Sequence, residues 1–255
     1  GLRPTHGRID LTHGMAMAPS FDSAGWFTRD AATFTKVGSV LLDSNSVPGE
    51  ITRLVVAEFG FDRADDLVTN NLRTFLEVAR PALPTIETVT APPGGIEPED
   101  ASETFRILQG YETWQSYGEW ITATKPNLGP GIKQRIEMAS EITAEQADAV
   151  RPHRAAIKAA MEALVPPGTI MALPVSAALP PKRNMDPKAL VEFRAKTMAL
   201  ICLASLSSLP QISIPVAQSH GMPVGMAFIA WHGGDEALLG LAEDLAPYVG
   251  RIGTK

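Results

Sequence analysis

Apolar positions change their spacing along the chain in a way that separates helices from strands. In Arg29–Leu42, Phe34, Val37 and Leu41 recur at i, i+3 and i+7, the period of one helix face. Leu67, Val68, Leu72, Phe75, Leu76 and Ala79 form a second stripe. Asp62 is placed to cap that helix, and Pro81 closes it. Between these stripes Ile51 to Glu58 is short and rich in Val, Leu and Ile, and reads as a strand. Thr85 to Thr90 reads as another, with Ile86 and Thr88 on one side and Glu87 and Val89 on the other. Thr169–Leu173 is almost wholly apolar, the pattern of a strand covered on both faces. Near the end, Gln211–Val216 and Pro223–Ile229 alternate and are joined through Ser219-His-Gly-Met222, so a hairpin is predicted. Pro215 makes the first of these an edge strand or a bulged one.

Breakers set the remaining boundaries. Ala91-Pro-Pro-Gly-Gly95 precedes a helix from about Glu99 to Thr122, and Lys125–Gly131 precedes one from about Ile132 to Glu141. A long helix over Ala144–Leu164 contains Pro152, which should kink it or start a new segment. Pro187 to about Leu206 is helical, and Asp235 should cap a last helix through Leu238, Leu241 and Leu245. Residues 1–27, rich in Gly, Pro, Thr and His, read as irregular. Strands interleaved with helices predict an α/β fold, a mixed β-sheet covered by helices on both faces. No strong domain boundary interrupts it, although the Pro/Gly stretch at 91–98 can mark an added helical layer.

Composition narrows the function. With 45% hydrophobic residues the 255-residue chain can build a sizeable core. A net charge of −6 gives no reason to expect nucleic acid or an anionic membrane as partner. No apolar run approaches the length of a membrane-spanning helix. The single cysteine, Cys202, lies in the apolar run Met198–Ala204, where a buried inert thiol is the expected state, and its solitude suits a reducing cytoplasm.

Familiar reactive constellations are missing. There is no G-x-S-x-G elbow, no H-E-x-x-H and no phosphate-cradling loop. The five histidines (His6, His13, His153, His220, His232) are too scattered to make a metal site and read as structural or solvated. Glu97, Glu99, Asp100 and Glu103 read as acidic groups near a helix N-terminus. Tyr111, Trp114, Tyr117 and Trp120 recur every third residue of one helix. Two readings stand for them: a helix packed on the sheet, or one wall of a pocket for a flat aromatic substrate.

The first 27 residues carry the sharpest signal. Gly1-Leu-Arg-Pro-Thr-His-Gly-Arg-Ile9 followed by Pro19-Ser-Phe-Asp-Ser-Ala-Gly-Trp26 resembles the stretch after the nucleophile loop of amidase-signature hydrolases. Ser208-Leu-Pro-Gln-Ile-Ser-Ile-Pro215, Gly221-Met-Pro-Val-Gly-Met-Ala-Phe-Ile229 and Gly234-Asp-Glu-Ala-Leu-Leu239 resemble the family's C-terminal motifs. Ser208 stands where that pattern has Gly. Ile170–Val175 resembles its apolar strand, with Val175 in place of Thr. Phe105–Glu112, Tyr117–Ile121, Gly129–Ile132 and Pro181–Pro187 resemble short amidases of the plant indole-3-acetamide hydrolase type.

The resemblance implies carboxamide hydrolysis by a Ser–cis-Ser–Lys triad, with no cofactor. The motifs that carry the triad lie upstream of this stretch in the family and have no counterpart here. No catalytic residue is therefore assigned to the chain. Residues 1–255 are read as the C-terminal portion of a single amidase domain, and the missing N-terminal portion is its first expected partner. By resemblance, Phe21, Asp22, Leu173, Pro174, Thr197, Ile201 and Cys202 line the substrate pocket. Plain packing is the competing reading for each. Asp22 could simply bond backbone amides, and Arg8 could pair with a carboxylate of the missing part. The partner expected of the whole protein is a small amide. If the residues occur alone, exposed apolar sheet surface should drive a homodimer or aggregates. Two rival readings are a catalytically silent amidase-like domain used for protein contacts, as in plastid import receptors, and the glutamine-amidase subunit of a transamidation complex.

Overall fold

The computed structural model describes residues 1–254. In chain order the elements are β1 (Leu2–Arg3), α1 (Ala31–Leu41), β2 (Arg53–Ala57), α2 (Glu58–Phe61), α3 (Asp66–Val78), β3 (Thr85–Val89), α4 (Pro98–Thr124), α5 (Pro130–Ser140), α6 (Ala144–Leu164), β4 (Thr169–Pro174), α7 (Pro187–Ser207), β5 (Gln211–Ser219), β6 (Met222–Ile229), α8 (Asp235–Leu245) and β7 (Ile252–Thr254). Among the described residues the strands form one seven-stranded sheet in the order β1-β5-β6-β4-β2-β3, with β7 also pairing β5. β2 runs parallel to both β3 and β4, while β6 is antiparallel to β4 and β5, so the sheet is mixed as predicted.

Strand alternation sorts side chains into two cores. Leu54, Val56, Ile170, Ala172, Ile212, Met226 and Phe228 face one way and meet Phe34 of α1, Leu72 and Phe75 of α3, and Leu238 and Leu241 of α8. Ala57, Met171, Leu173, Ala227 and Ile229 face the other way and meet Phe105 of α4, Ile157 and Met161 of α6, and Leu200 and Leu203 of α7. β4 is buried along its whole length, as expected of a strand covered on both faces.

Local chemistry explains most of the boundaries. Asp30 caps α1 by accepting from the Thr33 amide, and Asp186 caps α7 through the Lys188 and Ala189 amides. Thr143 and Gln146 form a reciprocal capping box at the start of α6. The hairpin turn sits at His220 and Gly221, with φ of 50° and 73°, the positive pair that suits a two-residue turn between twisted strands. The register of β5 against β6 shifts between Pro215 and Ala217, so the bulge expected at Pro215 is present. Its effect is visible downstream: successive residues Val216 and Ala217 both enter the first core.

Four expectations change. Asp235 does not cap α8: it is the helix's first residue, after Gly234, and its carboxylate accepts from Thr5 instead. Asp62 closes α2, and the residue preceding α3 is Asp65, because a four-residue helix occupies the connection. Pro152 lies within one continuous α6 and starts no new segment. Among the described residues the sheet does not display an apolar surface: the large exposed hydrophobics, including Met15, Phe27, Val40, Trp120, Ile132 and Val191, lie on loops and helices. The edge strand β3 presents Thr85, Glu87 and Thr88 to solvent instead, which blunts it as a template for association.

Candidate functional site

The N-terminal loop is irregular, but it is tightly held. Leu2 pairs with Ile212 of β5 and bridges Trp26, and any Cβ added at Gly25 would meet the Leu2 carbonyl oxygen at 2.2 Å. Thr5 donates from its amide and hydroxyl to the two carboxylate oxygens of Asp235, at 2.8 and 2.6 Å. Arg8 is 3% exposed and reaches Asp43 at 2.7 Å, Asp235 at 3.1 Å and Glu236 at 2.7 Å. Its partners therefore lie within this chain, not in a missing part. The cluster holds the Arg8 guanidinium above its ordinary range, through the Glu236 hydrogen bond first and against the opposing effect of burial. Burial pushes the Glu236 carboxyl up, but the bonds from Arg8, the backbone and Ser46 outweigh it and hold the group low. Asp43 is held low by the Asn45 amide and by Arg8.

The second half of the loop faces the α4–α7 side. The Asp22 carboxylate accepts the Met17 amide at 2.8 Å and the Ala18 amide at 3.1 Å, the local backbone role open to it. Phe21 is buried, meets Phe105 edge-on at 5.0 Å between ring centroids, and carries the Arg154 guanidinium over its face at 4.1 Å. Arg3 reaches Ser23, the Phe21 carbonyl and Ser205. Burial lowers the pKa of both Arg3 and Arg154 from the ordinary arginine value.

The candidate pocket residues divide by burial. Phe21, Leu173 and Cys202 share the second core, and Ile201 packs at its margin. Pro174 ends β4, also buried. Thr197 is half-buried on α7, with its hydroxyl 3.4 Å from the Ala177 amide and 3.5 Å from the Ser176 hydroxyl. Burial pushes the Cys202 thiol up to about 12, so it is protonated and unreactive at neutral pH. The structure thus brings Phe21, Leu173, Ile201 and Cys202 onto one side of the sheet, whereas Asp22 turns to its own backbone. Of the aromatic stripe, Tyr111 packs against the second core, Trp114 and Tyr117 are half-buried, and Trp120 is exposed.

Crevices open on the surface formed by the described residues. One of about 530 Å³ lies between residues 49–51, residues 81–84 and the end of α8, with Glu50, Asp244 and Tyr248 among its lining. Another, of about 290 Å³, is lined by Pro19, Ser20, Glu112, Gln115 and Ser116. Among the described residues no group of three or more His, Cys, Asp and Glu side chains could hold a metal ion, and no helix is long and apolar enough to cross a membrane.

The family model described as Amidase matches residues 76–239, well over half of the sequence. The chain belongs to the amidase family. This amidase-family chain is 30% identical to Amidase 1 of Arabidopsis thaliana over 98% of its own length and 65% of that protein's. It is 26% identical to Outer envelope protein 64, chloroplastic, of the same organism, over 97% of its length and 46% of that protein's. It superposes on the crystal structure of an amidase with a TM-score of 0.84, at 21% identity, over 98% of its length and 58% of the other chain. The amidase-family chain therefore spans less than two thirds of the curated relatives it matches.

Sequence reading missed Ser20, Glu112 and Arg154, which grip the loop. Ser20 lies inside the quoted Pro-Ser-x-Asp pattern and Glu112 ends the Phe105–Glu112 motif, so both were in view without a role. Arg154 carried no signal at all. Nothing in helical spacing distinguishes it from a solvated surface arginine.

Proposed function

We propose that residues 1–255 form the scaffold and one wall of the substrate pocket in a hydrolase that converts a small carboxamide and water to a carboxylic acid and ammonia. The family match carries this reading. The bond-breaking groups, a Ser–cis-Ser–Lys triad, lie outside these residues, in an N-terminal portion of the same protein that completes the cleft. Phe21 and Asp22 border the acyl site, with Leu173, Pro174, Thr197, Ile201 and Cys202 on its other side. The burial of Phe21, Leu173 and Cys202 in one cluster supports a shared wall. The substrate is an aromatic primary amide of the indole-3-acetamide kind, a reading favoured by the resemblance of Phe105–Glu112 and Tyr117–Ile121 to amidases of that type and by the half-buried Trp114 and Tyr117. No cofactor takes part, and the protein works in the cytoplasm.

A second reading is a silent amidase-like domain that serves protein contacts; the likeness to a protein named Translocon at the outer membrane of chloroplasts 64, at 22% identity over 94% of the chain, favours it. Ammonia release from indole-3-acetamide separates the two. Residues 1–255 alone should release none, and the chain joined to the segment encoded upstream should turn over. Lack of turnover by the joined protein on any carboxamide tested favours the silent domain, and turnover by residues 1–255 alone contradicts the division of labour.

A further inference from the structure

Ser20 is bonded at each of its polar atoms. Its amide donates to Glu112 Oε2 at 2.8 Å, and its hydroxyl donates to Glu112 Oε1 at 2.6 Å. Arg154 Nη1 donates to the same hydroxyl at 2.6 Å, and Nη2 donates to the Ser20 carbonyl at 2.8 Å. Arg154 Nε reaches the Leu206 carbonyl at 3.2 Å, near the end of α7. One loop residue is thereby tied to α4, α6 and α7 together.

This geometry exceeds what loop packing alone requires. Surface loops are ordinarily the mobile parts of a fold. Here four short bonds with the Glu112 carboxylate and the Arg154 guanidinium fix a single serine, and charge-assisted bonds of this kind are the strong ones. The two charges meet through the Ser20 hydroxyl, which donates to one and accepts from the other. Arg154 also covers the face of Phe21, and Phe105 meets that ring edge-on, so the side chain after Ser20 is fixed in orientation as well as position. Burial of Arg154 is unfavourable for its charge, and the nearby Glu112 carboxylate opposes that effect only in part.

We infer that Glu112 and Arg154 are positioning residues for the proposed hydrolase: acting through Ser20, they hold the backbone of Pro19–Asp22 at the edge of the acyl site and so set the rate of the chemical step. The inference rests on the amidase reading, because it presumes that this loop borders the reacting carbonyl. Neither residue need touch substrate. Small displacements of a site's supporting shell reduce turnover far more than they reduce binding.

The test uses the full-length protein with three variants, Arg154→Met, Ser20→Ala and Ser20→Thr. Two readouts are taken: kcat and KM on indole-3-acetamide, and hydrogen exchange of the peptide spanning residues 17–22. Arg154→Met and Ser20→Ala should each lower kcat about tenfold, leave KM within about twofold, and speed exchange of that peptide. Ser20→Thr, which returns the hydroxyl, should recover most of the lost kcat. Ser20→Ala covers the case in which Arg154→Met fails to fold. Unchanged exchange in the variants, or kcat within about twofold of wild type, would overturn the inference. A wild-type protein that turns over no carboxamide rejects the amidase reading itself and overturns the rate-setting role, whatever the exchange shows.

Discussion

At the scale of single residues, departures from the family pattern are as informative as matches. Ser208 ends α7 in the left-handed region, with φ of 62°, where the family pattern has glycine. An L-residue there is strained by about 1–2 kcal/mol, and part of that relief is lost because glycine also gains freedom in the unfolded chain. Ser208→Gly should therefore stabilise the protein by about 0.5–1 kcal/mol, read as a rise in Tm of about 2 °C. An unchanged or lower Tm would show that the serine is held by something other than its backbone. Burial makes the fate of Cys202 equally simple: an apolar run foretells a protonated thiol, and the fold provides one. Ser20, Glu112 and Arg154 were not legible in the same way. A hydrogen-bond network among residues 20, 112 and 154 depends on how the loop, α4 and α6 meet, and no local pattern encodes that.

At the scale of elements, periodicity revealed what is repeated and missed what is irregular. The strand at Thr169–Pro174 was readable because burial on both faces leaves no polar position in its interior. The hairpin was readable because His220-Gly221 supplies the turn between two alternating runs. The four-residue α2 was not, since Glu58–Phe61 continues the apolar run of β2 and has no stripe of its own. The loop from Gly1 to Phe27 was legible as irregular but not as rigid. Its rigidity comes from partners far along the chain, above all the fastening of Arg8 and Thr5 to the N-terminus of α8.

That fastening has a pH signature. Asp43 and Glu236 titrate below their ordinary values of 3.8 and 4.5 in the fold. Groups depressed in this direction contribute stability that is present above the unfolded values and lost as pH falls through the folded ones. Arg8→Met removes the cation and leaves the fully buried Asp235 without it, a loss of about 3–5 kcal/mol at pH 7. Tm measured from pH 7 to pH 3 should be lower for the variant throughout the neutral range. The gap to wild type should narrow below about pH 4.5, where protonation already weakens the cluster. A constant gap would mean that the stabilisation does not come from these carboxylates.

At the scale of the whole molecule, one mixed sheet divides the helices into two groups. α1, α3 and α8 close one core, and α4, α6 and α7 close the other, where the candidate pocket residues gather. This architecture was legible because alternating strands and amphipathic helices admit few layered solutions. The candidate pocket was legible only through the resemblance of residues 1–27 and 208–239 to a known family. Its lining positions are apolar and look like any core. The same limitation made an apolar sheet surface a reasonable expectation, yet the strands are covered and the exposed edge at β3 is polar. On the reading proposed above, these residues are a scaffold and the reactive serine lies in another stretch of the protein. The most direct test is to treat the full-length protein with a serine-reactive fluorophosphonate and locate the label by peptide mass spectrometry. The account predicts a single labelled serine outside residues 1–255, and no label when those residues are treated alone; a stoichiometric label on any serine within 1–255 would contradict it.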